Sequence, residues 1–132
     1  MVDAELLAVY GSLLAGLGQQ ERLGVDDDLE LIGPCVLAGT LYALGWYPGL
    51  RPGGGGRVVA ELYRVADPRV LAVLDRYEGC DPGDPQAEYV RVRVRLVTPD
   101  VEAWVYALAR KPVGAPVVVG GDWRHHTRRA GA

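Results

Sequence analysis

The sequence predicts an α+β fold, with a small curved, mostly antiparallel β-sheet or barrel of five to seven strands and one main helix packed on it. Short apolar runs follow one another with glycine and proline between them, and they do not alternate with helices as in a βαβ protein. Only the segment 68–78 has the apolar spacing of an amphipathic helix. Pro34 and Gly39 interrupt an apolar run, and such interruptions bend strands into a curved sheet.

Length and composition are those of one globular domain. The chain has 132 residues, of which 49% are hydrophobic and 23% are charged. We expect a domain over residues 5–123 and a frayed C-terminal tail over 124–132. The aromatic residues are seven tyrosines and three tryptophans, with no phenylalanine, so buried rings should need hydrogen-bond partners.

The N-terminal part contains strands and turns. Residues 5–10 predict a short strand, the glycine-bounded segment 18–24 predicts one or two helical turns, and 29–45 predicts two short strands or one bent strand. Residues 46–57 carry two prolines and five glycines, which predicts an exposed, mobile loop, either a lid over a site or a plain connection. No GK[ST] follows it, so it is not a phosphate-binding P-loop.

The C-terminal part begins with a strand predicted over 57–65, where the side chains alternate in character. Two further strands, 88–97 and 101–109, are joined by a tight turn at 98–100, which predicts an antiparallel hairpin. The segment 112–122 is predicted to be a loop or an edge strand.

One helix is predicted clearly. It begins after Asp67, a residue type favoured at the N-cap, has Pro68 at its first position, and ends at Gly79. Its apolar stripe consists of Val70, Val73, Leu74 and Tyr77. We expect this stripe to pack on the sheet and the opposite side of the helix to face solvent.

Val9-Tyr10-Gly11-Ser12-Leu13 indicates a strand that stops at a glycine. We expect Gly11 to adopt a positive φ, and the backbone N–H groups that follow it to form a nest for a carboxylate or a phosphate. The other interpretation is an ordinary turn from a strand into a loop.

Glu78 stands at the end of the predicted helix, at the edge of its apolar stripe between Leu71 and Leu74. An apolar setting and the helix dipole both disfavour the charged carboxylate, so its pKa should be raised, as suits a general acid/base near neutral pH. The alternative is a side chain that turns outward into solvent. Asp75, on the exposed helix face, and Glu61, facing away on its strand, are weaker candidates.

Charge and hydropathy argue against two classes of binding partner, nucleic acids and membranes. The formal net charge is −3, and Arg91, Arg93 and Arg95 alternate with apolar residues as on a solvated strand face, so no nucleic acid is expected. No apolar stretch approaches the roughly 18 residues of a membrane span, and MVDAELL lacks the basic region of a signal peptide. We therefore expect no membrane partner and a cytoplasmic location.

Neither a metal nor another cofactor is expected. Cys35 and Cys80 are isolated, without CxxC spacing, and are predicted to be reduced and without a chemical role. His125 and His126 lie in the predicted tail and are not expected to be a pair of metal ligands.

These features resemble the γ-glutamylcyclotransferase-like superfamily, in its small YGSL-type, AIG2-like form. The resemblance rests on YGSL at 10–13 and LDRYEG at 74–79, and it spans about residues 6–123. Further segments match in the family's usual order: GTLY at 39–42, GWYPGL at 45–50, AELY at 60–63, YVR at 89–91, VY at 105–106 and GDW at 121–123. One departure, AGLGQQ at 15–20, stands where many members carry a basic or Asn-His segment, and it bears on the identity of the substrate.

The resemblance implies a cofactor-independent enzyme that acts on a small γ-glutamyl molecule. The free α-amine of the γ-glutamyl group would attack its own γ-carbonyl, closing 5-oxoproline and releasing an amine or an amino acid. Glu78 would be the acid/base. The implied substrate-binding residues are Tyr10, Gly11, Ser12, Leu13 and Tyr106.

Two other interpretations stay open. One is a non-catalytic module of the same fold that binds small carboxylates at the glycine turn, although retention of Glu78 favours the enzyme. The other is a related γ-glutamyl-amine reaction that releases a lysine side chain or a biosynthetic intermediate. The leaving amine is not identified by either motif.

Overall fold

The computed structural model describes residues 5–80 and 83–130. Its strands are β1 (Glu5–Val9), β2 (Leu29–Ala43), β3 (Pro48–Val65), β4 (Tyr89–Arg95) and β5 (Glu102–Leu108), and its helices are α1 (Gln19–Leu23), α2 (Arg69–Tyr77) and α3 (Trp123–Ala130). The five strands form one sheet in the order β2-β3-β1-β5-β4. The predicted α+β class, with five strands and one main helix, is confirmed.

The sheet is mixed, with β1 in its middle. Strand β1 pairs antiparallel with β3 and parallel with β5, whereas β2 with β3 and β4 with β5 are antiparallel. Of the two forms that the sequence left open, the structure is an open sheet with β2 and β4 at its edges rather than a closed barrel. Backbone hydrogen bonds of 2.8 Å from Val36 to Thr98, and from Val97 to Val36, join β2 to the residues that follow β4.

The loop predicted over 46–57 is wrong for most of its length, because residues 48–57 lie in the long strand β3, which pairs with β2. The ladder runs from Ala43 opposite Pro48 to Gly39 opposite Pro52, and it resumes at Ala38 opposite Arg57, so that residues 53–56 are accommodated as an irregularity within β3. A Cβ added to Gly56 would lie 2.5 Å from the Gly39 carbonyl oxygen. The glycines therefore permit close backbone approach inside a sheet, which composition alone does not distinguish from a loop. Of the two alternatives predicted for residues 29–45, the structure has one bent strand, β2. Its pairing with β3 shifts register between Leu31 and Gly33 and between Ala38 and Gly39.

The predicted helix is present as α2, one residue shorter at each end than the predicted 68–78, with Pro68 before it and Glu78 after it. The Asp67 carboxylate accepts a hydrogen bond of 3.0 Å from the Arg69 backbone N–H, and Gly79 closes the helix at φ +67°. Val70, Leu71 and Leu74 are buried in the core together with side chains of the sheet. This packing fixes the end of α2, and with it the position of the residue that follows, against the sheet.

The predicted hairpin is also confirmed, since β4 and β5 pair from Tyr89 opposite Leu108 to Arg95 opposite Glu102. The segment 112–122 has no strand of its own and makes one isolated β-bridge, between Val117 and Tyr42. Among the described residues, no helix is long and apolar enough to cross a membrane.

The C-terminal segment differs from the frayed tail expected after residue 123. Trp123 is only 5% exposed, and it begins α3, from which the Arg124 guanidinium donates a hydrogen bond of 2.9 Å to the Ala15 carbonyl. The segment is mostly polar, so it lacks the periodic signal of a packed helix, and one indole and one guanidinium hold it instead. Residues 131–132 lie outside the described residues, and the domain boundary stays a prediction.

Candidate functional site

A cavity of about 190 Å³ lies where the end of β1 meets the end of α2 and the hairpin. It is lined by Ala8, Val9, Tyr10, Gly11, Ser12, Leu13, Trp46, Tyr47, Pro48, Tyr77, Glu78, Glu88, Tyr89 and Tyr106. All six site residues predicted from the sequence are in this set. The structure thus brings together residues that are up to 96 positions apart, although it does not test the role assigned to each.

The turn after β1 forms one wall of the cavity. The Leu14 N–H donates to the Gly11 carbonyl at 3.0 Å, which closes a tight turn over residues 11–14. Within the described residues, the N–H groups of Gly11, Ser12 and Leu13 donate to no backbone or side-chain acceptor. Because buried backbone N–H groups rarely stay unpaired, this wall suits an acceptor such as a carboxylate.

Glycine is required at position 11, but not for the predicted reason. The expected positive φ is not adopted, since Gly11 is absent from the glycines with that conformation. Instead, a Cβ on Gly11 would lie 2.8 Å from Cγ and 3.0 Å from Cδ of Pro48. Glycine is needed here because the proline ring of β3 packs directly over the turn.

The next residue of the turn contacts helix α2. The Ser12 hydroxyl and the Tyr77 hydroxyl are 2.8 Å apart in a hydrogen bond in which either can donate. Both residues line the cavity. The apolar stripe predicted Tyr77 as a packing residue, and its half-buried ring does pack against the core, but its hydroxyl also anchors the turn.

Glu78 follows α2 immediately and faces the cavity. Its side chain is half-buried and makes no hydrogen bond or ion pair with any described residue. Burial, and secondarily the negative charge of Glu88, raises the pKa of Glu78 to about 7. A carboxyl group with this pKa is present in both protonation states near neutral pH, so it can accept and return a proton.

Tyr106 lines the cavity and is held from two sides. Its hydroxyl donates a hydrogen bond of 2.7 Å to Asp75, and its backbone carbonyl accepts one from the Tyr10 hydroxyl. Burial, and then the hydrogen bond to Asp75, raises the pKa of the Tyr106 phenol well above its usual range. Tyr106 is therefore a neutral group at physiological pH.

Asp75 and Arg91 are less exposed than the sequence predicts. Asp75 was placed on the solvated face of the helix, and Arg91 on a solvated strand face, but their side chains are only 24% and 22% exposed and form an ion pair of 2.8 Å. Arg91 and Arg93 also cover the Trp104 ring, at 4.3 and 4.5 Å from its centroid. Asp75 is thus covered by the hairpin, whereas Arg69, Ala72 and Arg76 on the same side of α2 are exposed as predicted.

The mouth of the cavity is acidic and aromatic. Glu88 is exposed and accepts a hydrogen bond of 2.9 Å from the Tyr47 hydroxyl. Trp46 is 78% exposed and meets Tyr47 edge to face, with 5.0 Å between ring centroids. Deeper in the cavity, the buried Tyr89 hydroxyl donates to the Pro48 carbonyl at 2.7 Å.

Only the first residues of the loop predicted over 46–57 line the cavity. Trp46, Tyr47 and Pro48 line it, whereas the glycines at 53–56 do not. A lid made of that glycine run is therefore not what the structure shows.

A second carboxylate supports the turn from behind. Glu61 accepts a hydrogen bond of 2.8 Å from the Ala15 N–H and one of 3.1 Å from the Arg124 guanidinium of α3. The Arg124 and Glu61 side chains are both partly buried, and they form an ion pair. Glu61 is a supporting residue of the site, not one of its walls.

The remaining candidate groups lie away from the cavity. No group of three or more potential metal ligands occurs among the described residues. His126 stacks on Trp123 at 5.1 Å between ring centroids. Cys35 and Cys80 are both free thiols, and burial raises the pKa of Cys35 to about 11.

Sequence reasoning missed several contributors to the site, chiefly tyrosines. Their signal was the absence of phenylalanine, which predicted that buried rings would need polar partners. Six of the seven tyrosines do form hydrogen bonds through their hydroxyls: Tyr10, Tyr47, Tyr63, Tyr77, Tyr89 and Tyr106. Composition could predict that such bonds exist, but not which of them face one cavity.

Comparison with known proteins identifies a family at the level of sequence. A sequence model of the family described as gamma-glutamyl cyclotransferase, AIG2-like, matches residues 7–125. The gamma-glutamylcyclotransferase family protein YtfP of Escherichia coli K12 is 36% identical over 118 residues, which are 87% of this chain and 92% of that protein.

Two solved structures resemble the fold. The solution structure of ytfP from Escherichia coli has a TM-score of 0.65 and 32% identity, covering 92% of this chain and 98% of that one. The crystal structure of an AIG2-like protein from Mus musculus has a TM-score of 0.70 and 24% identity, covering 92% and 89% of the two chains. The second similarity concerns the fold alone.

Proposed function

Because this chain belongs to the gamma-glutamyl cyclotransferase, AIG2-like family, we propose that it is an enzyme that cyclises a γ-glutamyl group to 5-oxoproline. The products are the lactam and a free amine or amino acid. Glu78 is the general acid/base in this proposal, and the turn at residues 11–13 binds the substrate's α-carboxylate. The small-molecule substrate and the cytoplasmic location are carried over from the sequence as predictions.

One observation carries the proposal. The unpaired carboxyl of Glu78, with a pKa of about 7, lines the same cavity as Gly11, Ser12 and Leu13, whose backbone N–H groups have no acceptor among the described residues. A γ-glutamyl group has a carboxylate that such amides can bind, and its adjacent α-amine must lose a proton before it reacts. In this proposal the turn binds the carboxylate and Glu78 takes the proton.

The proton inventory of the reaction balances on Glu78 alone. The charged carboxylate takes a proton from the substrate's α-ammonium, and the freed nitrogen lone pair forms a bond to the γ-carbonyl carbon, whose oxygen takes up the π electrons. Glu78 gives this proton to the leaving nitrogen, and the bond from the carbon to that nitrogen breaks as the carbonyl re-forms. The attacking nitrogen still carries a second proton to lose, which the carboxylate takes and passes to the free amine, so that the products are a neutral lactam and an ammonium. The residue therefore returns to its starting state after each turnover.

The other residues of the cavity hold the substrate rather than exchange protons with it. Tyr106 and Tyr89 are buried, with hydroxyls engaged by Asp75 and the Pro48 carbonyl, so they form rigid apolar walls. Ring closure has its nucleophile tethered to the electrophile, and effective molarities in such reactions reach about 10⁵ M or more. The cavity's main contribution is to select the folded conformer of the γ-glutamyl chain.

The test is 5-oxoproline release by purified protein from a panel of γ-glutamyl amines, dipeptides and amino acids. We expect Glu78→Gln to keep the fold, since the amide is isosteric, and to lower kcat about 10²–10⁴-fold. The matched control is Glu21→Gln, a helical glutamate that is exposed and outside the cavity. Unchanged turnover by a folded Glu78→Gln protein would exclude Glu78 as the acid/base.

A second candidate function is a non-catalytic module that binds a small carboxylate. The three unpaired N–H groups of the turn favour this candidate as much as the enzyme, whereas the raised pKa of Glu78 has no use in it. Binding of 5-oxoproline or a γ-glutamyl amine by calorimetry, without turnover of any compound in the panel, would favour the module.

A further inference from the structure

The entrance of the cavity carries a second carboxylate, Glu88, besides Glu78. Trp46 and Glu88 both line the cavity and are both exposed, which places them at its rim, while Gly11, Leu13 and Tyr106 are buried in its wall. The cavity, at about 190 Å³, is smaller than the roughly 300–1,000 Å³ of sites for drug-sized ligands. A γ-glutamyl head inside it leaves the rest of the substrate at the rim.

The rim holds one carboxylate and no cation. None of the residues that line the cavity is arginine or lysine, and Glu88 has no ion-pair partner among the described residues. Arg110, which follows β5, donates to the carbonyls of Pro85 and Ala87 rather than to Glu88. The Glu88 carboxylate therefore forms no ion pair within the part of the chain that the structure describes.

The geometry of the rim orients Glu88 and exposes an aromatic face beside it. The Tyr47 hydroxyl donates to the Glu88 carboxylate at 2.9 Å and restrains it, and a carboxylate keeps further lone pairs for another donor. The Trp46 ring packs edge to face on Tyr47 and is 78% exposed. A carboxylate next to an exposed indole is a combination that binds ammonium groups.

We propose that Glu88, with Trp46, selects γ-glutamyl substrates whose leaving amine carries a second, positively charged nitrogen. This inference rests on the proposed function and names the class of substrate for the same site. An aminoalkyl chain would extend from the reacting amide to the rim and place its ammonium against the carboxylate and the indole. A leaving amino acid would instead bring its own carboxylate toward Glu88, which like-charge repulsion disfavours.

The test compares two γ-glutamyl amides of equal length. γ-L-Glutamyl 5-aminopentylamide ends in an ammonium group, and γ-L-glutamyl hexylamide ends in a methyl group at the same distance. We expect the wild-type protein to favour the ammonium compound about three- to tenfold in kcat/KM, mainly through KM, and the preference to fall as salt is added. Glu88→Gln should lose the preference.

The matched control is Glu102→Gln. Glu102 is also an exposed hairpin glutamate, but it lies opposite Arg95, at the other end of the hairpin from Tyr89. This variant should keep the full preference for the ammonium compound. Melting temperatures of both variants check that neither has lost its fold.

A pH profile supplies a readout that a merely structural role would not move. The titratable groups that interact electrostatically with Glu78 are Glu88, Tyr10, Tyr89, Tyr106 and Cys80. Of these, Glu88 is the one whose negative charge raises the pKa of Glu78. Glu88→Gln should therefore shift the acid limb of kcat/KM for the hexylamide to lower pH.

The outcomes separate the two proposals. If both amides are cyclised equally, or if Glu88→Gln keeps the preference, the selection by Glu88 is wrong and the cyclotransferase activity stands. If the protein releases 5-oxoproline from neither amide nor from any other compound of the panel, the proposed function is wrong and the substrate selection falls with it. A preference lost in Glu88→Gln and kept in Glu102→Gln supports both.

Discussion

The ring of Pro48 lies directly over the backbone of Gly11, so that a Cβ added to Gly11 would be 2.8 Å from Cγ of the proline. This contact joins the start of β3 to the turn at residues 11–13, which lines the cavity. It sets how closely two strands approach at the candidate site, and it explains why a side chain is excluded from position 11 without any requirement for positive φ.

Gly11→Ala should therefore act through a steric clash. We expect it to lower the free energy of unfolding by about 1–3 kcal/mol and to weaken ligand binding, as measured by urea denaturation and calorimetry. The double variant Gly11→Ala/Pro48→Ala removes the ring and should recover most of the stability. If the second substitution restores nothing, the contact with Pro48 is not the cause.

The pH dependence of turnover should report Glu78. Because its pKa is raised to about 7 and the charged form accepts the first proton, kcat/KM should rise with pH through a limb near 7. Initial rates of 5-oxoproline release between pH 5 and 9 measure this limb. An unperturbed glutamate would place it near pH 4.3, and that result would contradict a buried acid/base.

The same pKa predicts how stability varies with pH. Since the folded-state pKa of Glu78 lies above the unfolded value of 4.5, its contribution to stability is fully present below pH 4.5 and is lost as the pH rises through about 7. Glu78→Gln lacks this loss, so its advantage over wild type in urea denaturation should grow by about 2–3 kcal/mol between pH 5 and pH 8. A constant difference across that range would show that the carboxyl is not desolvated.

Asp75 should matter more than its place on the helix suggests. It accepts hydrogen bonds from the half-buried Arg91 and from the hydroxyl of the buried Tyr106. We expect Asp75→Asn to cost about 1–3 kcal/mol of stability. Asp100→Asn breaks an ion pair with Arg95 whose side chains are mostly exposed, and it should cost less than about 1 kcal/mol. Equal losses would mean that the Asp75 network has no special weight.

Arg124 should connect the C-terminal helix to the site. Its guanidinium contacts the Ala15 carbonyl and Glu61, and Glu61 holds the Ala15 N–H just after the turn. We expect Arg124→Gln to cost about 1–2 kcal/mol and to weaken ligand binding. Arg128→Gln, an exposed change on the same helix, is the control and should leave both unchanged. Loss of stability with unaltered binding would limit Arg124 to a role in folding.

Local sequence patterns predicted the elements whose ends are set by residues close to them in the chain. Asp67 and Gly79 bound α2 because capping and left-handed closure are short-range requirements. Glu78 could be placed next to the apolar stripe for the same reason, by counting residues around a helix. The loop predicted over 46–57 is wrong from Pro48 onward, because glycine and proline are typical of loops, while residues 48–57 here lie in a strand whose backbone approaches its neighbour closely.

By itself, the sequence determined the α+β class, the helix with its caps, the hairpin, and the family to which two short motifs belong, because periodicity and turn chemistry act over a few residues. Only the tertiary structure decided that Asp75 is covered by the hairpin, that Trp123 is anchored in the core, and that Glu88 and Trp46 line one cavity with Glu78. These relations join residues far apart in the chain. They depend on strand order and register, which long-range packing sets and which a single sequence pattern does not encode.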